Sequence, residues 1–399
     1  MPACHLPMPL AGRCRLAVAQ LALPLVTTAA LLASPVRAEP YQPRSDAEVV
    51  ETLPGAGPAR SEERRLRQQL AANPDNAALA VGLARRYLET AREQGEPRLA
   101  GRALALLQRW QPLDNAPADV VLMSATIRQH LHQFDAAASM LDKLLQREPR
   151  HAQASLTLAT IRRVQGRYDA SDRACKALLG GTADFYAHAC LAENLGLRGR
   201  IDDAGRIFGQ LLAMPGMPAA ARGWLLTSVA ELETRAGRTQ RAEAAWRAAI
   251  DAGADDYARL SYADFLIDGG RHREAAALLH EQPRSDAVLL RLAIAASSMS
   301  NLRSPEVAEW RARMQQAALR PQSGASHARE QAMFALLIDG DAARALQLAR
   351  SNVKLQREPI DLLLLARAAR AAGDAAAVDE ARRIRTEMEL HDARLDALL

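Results

Sequence analysis

Histidines, cysteines and paired carboxylates are the residues of this 399-residue chain that could do chemistry, and their spacing points away from it. His130 and His132 are the closest histidine pair. On a helix a spacing of two sends the side chains to different faces, so a shared metal is not expected. The other histidines beyond the N-terminal segment, His151, His188, His272, His280, His327 and His391, are scattered. There is no glycine-rich phosphate loop, no Gly-x-Ser-x-Gly, no His-Glu-x-x-His and no Cys-x-x-Cys. The acid pairs Asp202-Asp203 and Asp255-Asp256 fall at turns or helix starts, where carboxylates cap orphan N–H groups and complement the helix dipole. No residue is assigned a catalytic, cofactor-binding or metal-binding role, and the chain is not expected to be an enzyme.

The elements that carry these residues are helices. Charged residues make up 24% of the chain and the AVILMFWYC set 49%, which excludes a disordered or collagen-like polymer. Aromatics are only 4%, so the apolar content is mainly Ala and Leu, which favours helix over sheet. One phrase repeats. Gly166-Arg-Tyr168-Asp-Ala170 returns at Gly199-Arg-Ile201, Gly237-Arg-Thr239 and Gly270-Arg-His272, with weaker copies at Gln133-Phe134, Gly340-Asp-Ala342 and Gly373-Asp-Ala375. The residue two after each Gly marks the period: 134, 168, 201, 239, 272, 342 and 375. The wide gap after 272 holds one more unit, with a helix starting at Ser304-Pro305-Glu306. Each Gly lets the chain reverse between two helices, and apolar residues then recur at helical spacing, as in Leu141, Leu144 and Leu145. A lone hairpin cannot bury that face; stacked neighbours can.

This pattern resembles the tetratricopeptide repeat family, whose period is about 34 residues. The resemblance spans residues 61–399 and implies an all-α, right-handed α-solenoid of about nine hairpins. Leu158 and Ala159, Gly166, Tyr168 and Pro149 match family positions, while Ser171 stands where the family has a small Ala. The resemblance also implies that the first helix of each hairpin lines a concave groove. Fifteen residues before successive markers stand Tyr186, Trp224 and Tyr257; eight before stand Glu193, Glu231 and Asp264. An aromatic row beside an acidic row suits a cationic peptide, through carboxylates and cation–π attraction. The opposing reading is ordinary packing, with the acids paired to arginines such as Arg163 and Arg235. The family's Lys and Asn carboxylate clamp is absent. Cys175 and Cys190 fall on helices that pack together in such a solenoid, as a disulfide or as two buried thiols.

Residues 1–38 read as a signal peptide: Arg13 and Arg15, an apolar run from Leu16 to Ala33, then Val36 and Ala38 before a cut at Glu39. The net charge of +5 falls to +2 without Arg13, Arg15 and Arg37. Positive charge is interspersed with acids, which argues against a nucleic-acid surface. Residues 39–60, rich in Pro and Gly, read as a flexible arm. Removal of the signal leaves no membrane span, and the compartment is expected to be the bacterial periplasm. The expected function is an exported, non-catalytic adaptor that binds a protein or extended peptide, with self-association open and with polysaccharide or peptidoglycan binding as the alternative. No cofactor is expected.

Overall fold

The glycine phrase builds the same turn again and again. Gly166, Gly199, Gly237, Gly270, Gly340 and Gly373 all take left-handed backbone, φ +66° to +79°. The following N–H returns to a carbonyl five residues back, as in Arg167 to Arg162, Arg200 to Leu195 and Arg271 to Leu266. This closes the orphan carbonyls of each first helix. In the turn before Phe134 the left-handed position is held by His132, φ +58°, where an L side chain costs about 1–2 kcal/mol. At Gly340 the turn is wider. The helix ahead of it ends in a π turn, Ala335–Asp339, and the Asp341 N–H reaches back to Ala335.

The computed structural model describes residues 45, 58–94, 97–299, 304–319 and 327–399. The chain divides into two units, Met1–Gly55 and Ala56–Leu399, and apart from Ser45 the described residues all belong to the second. The expected signal peptide and most of the expected arm lie outside the described residues.

Helix α1 covers Pro58–Ala72, starting three residues before the expected boundary at 61. Nine hairpins follow among the described residues. The first is α2 (Ala77–Gln94) with α3 (Pro97–Leu106), the second α4 (Ala118–His130) with α5 (Phe134–Arg147). The third pairs α6 (Ala152–Val164) with α7 (Tyr168–Lys176), the fourth α8 (Asp184–Leu197) with α9 (Ile201–Leu212). Then come α10 (Ala219–Arg235) with α11 (Thr239–Asp251), and α12 (Asp256–Asp268) with α13 (His272–Leu279). The last three are α14 (Asp286–Ser298) with α15 (Pro305–Ala318), α16 (Ala328–Phe334) with α17 (Ala342–Asn352), and α18 (Pro359–Ala371) with α19 (Ala375–Met388). A short α20 (Ala393–Asp396) closes the chain. Ser304 caps α15 as its sequence suggests, accepting from the Val307 N–H at 3.3 Å.

The small residue five after the turn Gly is buried in every strong copy: Ser171, Ala204, Ala242 and Ala275. It lets the two helices approach, and the large second-helix positions Phe208 and Trp246 fill the core beside it. Ser171 uses its departure from Ala. The buried Asn194 amide donates to its hydroxyl at 3.0 Å and to Asp172 at 2.8 Å. Cys175 on α7 and Cys190 on α8 form a disulfide, Cα–Cα 5.9 Å.

A simple solenoid touches only its neighbours. This one does not. The Arg357 N–H donates to Val164 O at 2.7 Å and the His391 N–H to Leu197 O at 2.9 Å, so the C-terminal hairpin caps the ends of α6 and α8. A Cβ at Gly166 would lie 2.9 Å from Met388, and one at Gly199 2.8 Å from the His391 ring. Asp268, at the end of α12, accepts from Arg367 at 2.7 Å. Residues 382–396 carry many charges in sequence, as a solvent-facing terminal cap would. Instead Met388, Leu390, Asp392 and Leu395 are buried, because this segment crosses the turns of earlier hairpins and needs apolar contact there.

Candidate functional site

Closure turns the concave groove into a lumen of about 780 Å³. Its walls come mainly from first helices, from Gln129 on α4 through Thr160, Glu193, Glu231, Asp264 and Arg291 to Pro359 and Ile360 on α18. The volume lies within the range of small-ligand cavities. Trp224, Tyr257, Glu193, Glu231 and Asp264 all line it. Tyr186 does not. It sits beyond the wall, 43% exposed, against Phe185 (5.1 Å between ring centres) and Trp224 (5.8 Å). The row of three aromatics is therefore two rings inside, Trp224 and Tyr257, and a third outside that packs against Trp224.

Each acid has a partner within the chain. Glu193 accepts from Ser228 at 2.7 Å and pairs with Arg163. Asp264 accepts from Arg291 at 2.6 Å. Glu231 accepts from the Tyr257 hydroxyl at 2.5 Å, with Arg235 3.9 Å away. Glu193 and Asp264 thus each have an arginine in close contact, and Glu231 has one only at 3.9 Å.

Burial in the lumen pushes the carboxyl groups of Glu231 and Asp264 above their ordinary values, against the pull of Arg235 and Arg291. The Glu231 charge, with burial, holds the Tyr257 phenol well above its ordinary value. Tyr257 is still 53% exposed, because its ring opens onto the cavity it lines.

Behind the far wall, Arg329 grips Asp361 with two hydrogen bonds, 2.6 and 2.8 Å, and also bonds Glu358 at 2.5 Å. Asn352 donates to the same carboxylate at 2.6 Å. Asp361 is buried, and burial raises its pKa to about 6. Sequence reasoning missed this cluster, because only closure of the solenoid makes it part of the site. It could have found two further lumen residues. Ile360 stands fifteen before the marker at 375, the register of Trp224 and Tyr257. Arg235 stands four before 239, where Val164 and Leu197 stand in earlier hairpins; all three line the lumen.

Among the described residues no group of three or more His, Cys, Asp or Glu is placed to hold a metal, and no helix is long and apolar enough to cross a membrane. His130 and His132 come from the end of α4 and its turn, and burial lowers the His130 pKa to about 4, which leaves that ring neutral.

The arrangement of paired helices around a concave face decides the architecture. The fold is a tetratricopeptide-like α-solenoid. No family model and no curated protein matches the chain. Solved structures do show similarity. A tetratricopeptide repeat protein from Parabacteroides merdae is 19% identical, over 56% of this chain and 85% of that one, with a TM-score of 0.43. YrrB, described as a TPR protein with an unusual peptide-binding site, is 15% identical over 48% of this chain and 93% of its own, TM-score 0.33. A Rap protein complexed with competence and sporulation factor is 11% identical over 85% and 93%, TM-score 0.47.

Proposed function

We propose that this tetratricopeptide-like chain is an exported, non-catalytic binding scaffold that holds a segment of a partner polypeptide in its lumen. One observation carries the reading: aromatic and acidic side chains of successive first helices, Trp224, Tyr257, Glu231 and Asp264, converge on one cavity. Aromatic faces and carboxylates together suit a cationic side chain, and the long-range attraction weakens with salt. The periplasm is the proposed compartment, on the strength of the N-terminal Arg13–Ala38 pattern.

The test is an array of short peptides and oligosaccharides probed with the purified chain and with a Glu231→Gln, Asp264→Asn double variant. Capture of Lys- or Arg-bearing peptides, reduced at high salt and in the double variant, supports the reading. Capture of neutral oligosaccharides, indifferent to both changes, replaces it with glycan binding. Export is checked by the mass of the protein recovered from the periplasm, expected to begin at Glu39.

A further inference from the structure

The lumen has a second pole that its acids do not explain. The Tyr168 hydroxyl is buried, the residue only 4% exposed, and it has no hydrogen-bond partner among the described residues. Arg235 is 8% exposed; among the described residues its Nε is buried without a partner, and the carboxylate within 4 Å of its guanidinium is Glu231, at 3.9 Å. Both residues line the lumen. Leaving such donors unpaired in a protein interior is costly, and a buried guanidinium without hydrogen bonds is costlier still. The two residues share the lining of this one cavity, which Arg163 and Glu358 line as well; on its other side Tyr168 borders the smaller cavity beside Asp169 and Met388. A group that accepts from both a phenol and a guanidinium is an oxyanion, and a planar carboxylate matches the guanidinium fork.

Charge balance narrows the class. Five arginines and six carboxylates line the lumen, a net charge of about −1 if all are ionised. A polyanion would meet the carboxylates and a polycation the arginines. A ligand with one carboxylate and two amines brings the sum to zero and leaves each charge opposite its complement.

We propose that the lumen holds a small amphoteric ligand of the diamino-acid class, free or as a peptide C-terminus, with its carboxylate at Tyr168 and Arg235 and its side-chain amine at Glu231 and Asp264. This rests on the reading of the lumen as the binding region and adds the chemistry of what enters it.

Calorimetric titration of the full chain with four probes tests it: lysine, lysinamide, norleucine and the dipeptide Ala-Lys. Lysine is expected to bind at least tenfold more tightly than lysinamide, which lacks the carboxylate, and norleucine, which lacks the side-chain amine. Ala-Lys separates the two sources: binding as tight as lysine assigns a peptide C-terminus, and weaker binding assigns the free amino acid. Tyr168→Phe, which removes one oxygen and nothing else, should bring lysine down to the level of lysinamide, leave lysinamide unchanged, and raise the Tm of the empty protein. Arg235→Met should do the same to the affinities. Equal binding of lysine and lysinamide overturns the carboxylate pole while leaving the scaffold reading intact. An unchanged lysine affinity in Tyr168→Phe overturns it too, because the hydroxyl is then satisfied by water. If no probe binds, this proposal fails, and the peptide array separately decides the scaffold reading.

Discussion

Glu231 and Glu243 lie on the two helices of one hairpin, α10 and α11, and their carboxyl groups are driven in opposite directions. Glu243, on the outer helix, accepts from Arg271 at 2.9 Å and Arg247 at 2.6 Å, and these bonds hold it below its ordinary value. Glu231, on the inner helix, also has an arginine nearby, yet burial wins and raises it. The contrast recurs: Asp203 and Glu309 outside are lowered by arginine bonds, while Asp264 in the lumen, and Asp361 buried behind its wall, are raised. The same residue type with the same kind of partner behaves differently because one face of the solenoid meets bulk water and the other meets a space the chain has closed around itself.

The largest effect is expected where the closure is most buried. Asp361→Ala strips Arg329 of its bidentate partner and should cost about 3–5 kcal/mol, the usual result of orphaning one member of a buried pair. Glu243→Ala, which removes a carboxylate with two arginine partners on the outer face, should cost less than about 1 kcal/mol. Urea denaturation of the two variants measures both; equal losses would mean that the inner face is no more enclosed than the outer.

Next comes the bond that ties an outer helix to an inner one. Cys175 and Cys190 close a loop of 15 residues, for which chain entropy gives about 3 kcal/mol. A Cys175→Ser, Cys190→Ser variant should lose about that much in the same assay, and reduction of the native chain should reproduce the loss. A reduced chain as stable as the oxidised one would show that packing of α7 on α8 does the whole work.

The outer architecture was legible in the residues and the inner chemistry was not, for a physical reason. The turn at Gly166 and its copies is local: a positive φ, a returning N–H and a small residue five positions on are all written within a few residues. The lumen register was legible too, since counting from those turns reaches Trp224, Tyr257, Glu231 and Asp264. Tyr186 obeys the same count and lies outside although Glu193, seven residues on in the same helix, lines the lumen; a fixed offset does not say how much of each first helix faces the cavity. Closure itself depends on contacts such as His391 to Leu197, nearly two hundred positions apart, and no period carries that information. Tyr168 therefore reads as a turn marker, and only the folded chain shows that its hydroxyl has no partner.

Two glycines with the same turn separate local strain from closure. Gly199 and Gly270 both have positive φ, +79° and +72°. An alanine at Gly270 meets nothing within 4 Å, so it should cost only the left-handed backbone, about 1–2 kcal/mol. An alanine at Gly199 also strikes the His391 ring, and should cost roughly 1 kcal/mol more, at the low end for overpacking. Equal losses in denaturation would show that the C-terminal segment yields without resistance.

The smallest effect is a slope. Glu231 and Asp264 have raised values in the folded state, so the folded chain binds their protons more readily than the unfolded chain does. As pH falls from neutrality through their folded values towards the ordinary carboxylate range, these two groups favour folding. Glu243 and Glu309 have lowered values, so their contribution is present above the ordinary range and is lost as pH falls through their folded values. Urea midpoints should therefore be followed against pH for the native chain and two double variants, Glu231→Gln with Asp264→Asn and Glu243→Gln with Glu309→Gln. On acidification the native chain should gain on the first variant and lose ground to the second. Parallel curves in both cases would remove the electrostatic difference between the two faces and, with it, the ground for treating the lumen as a chemical environment of its own.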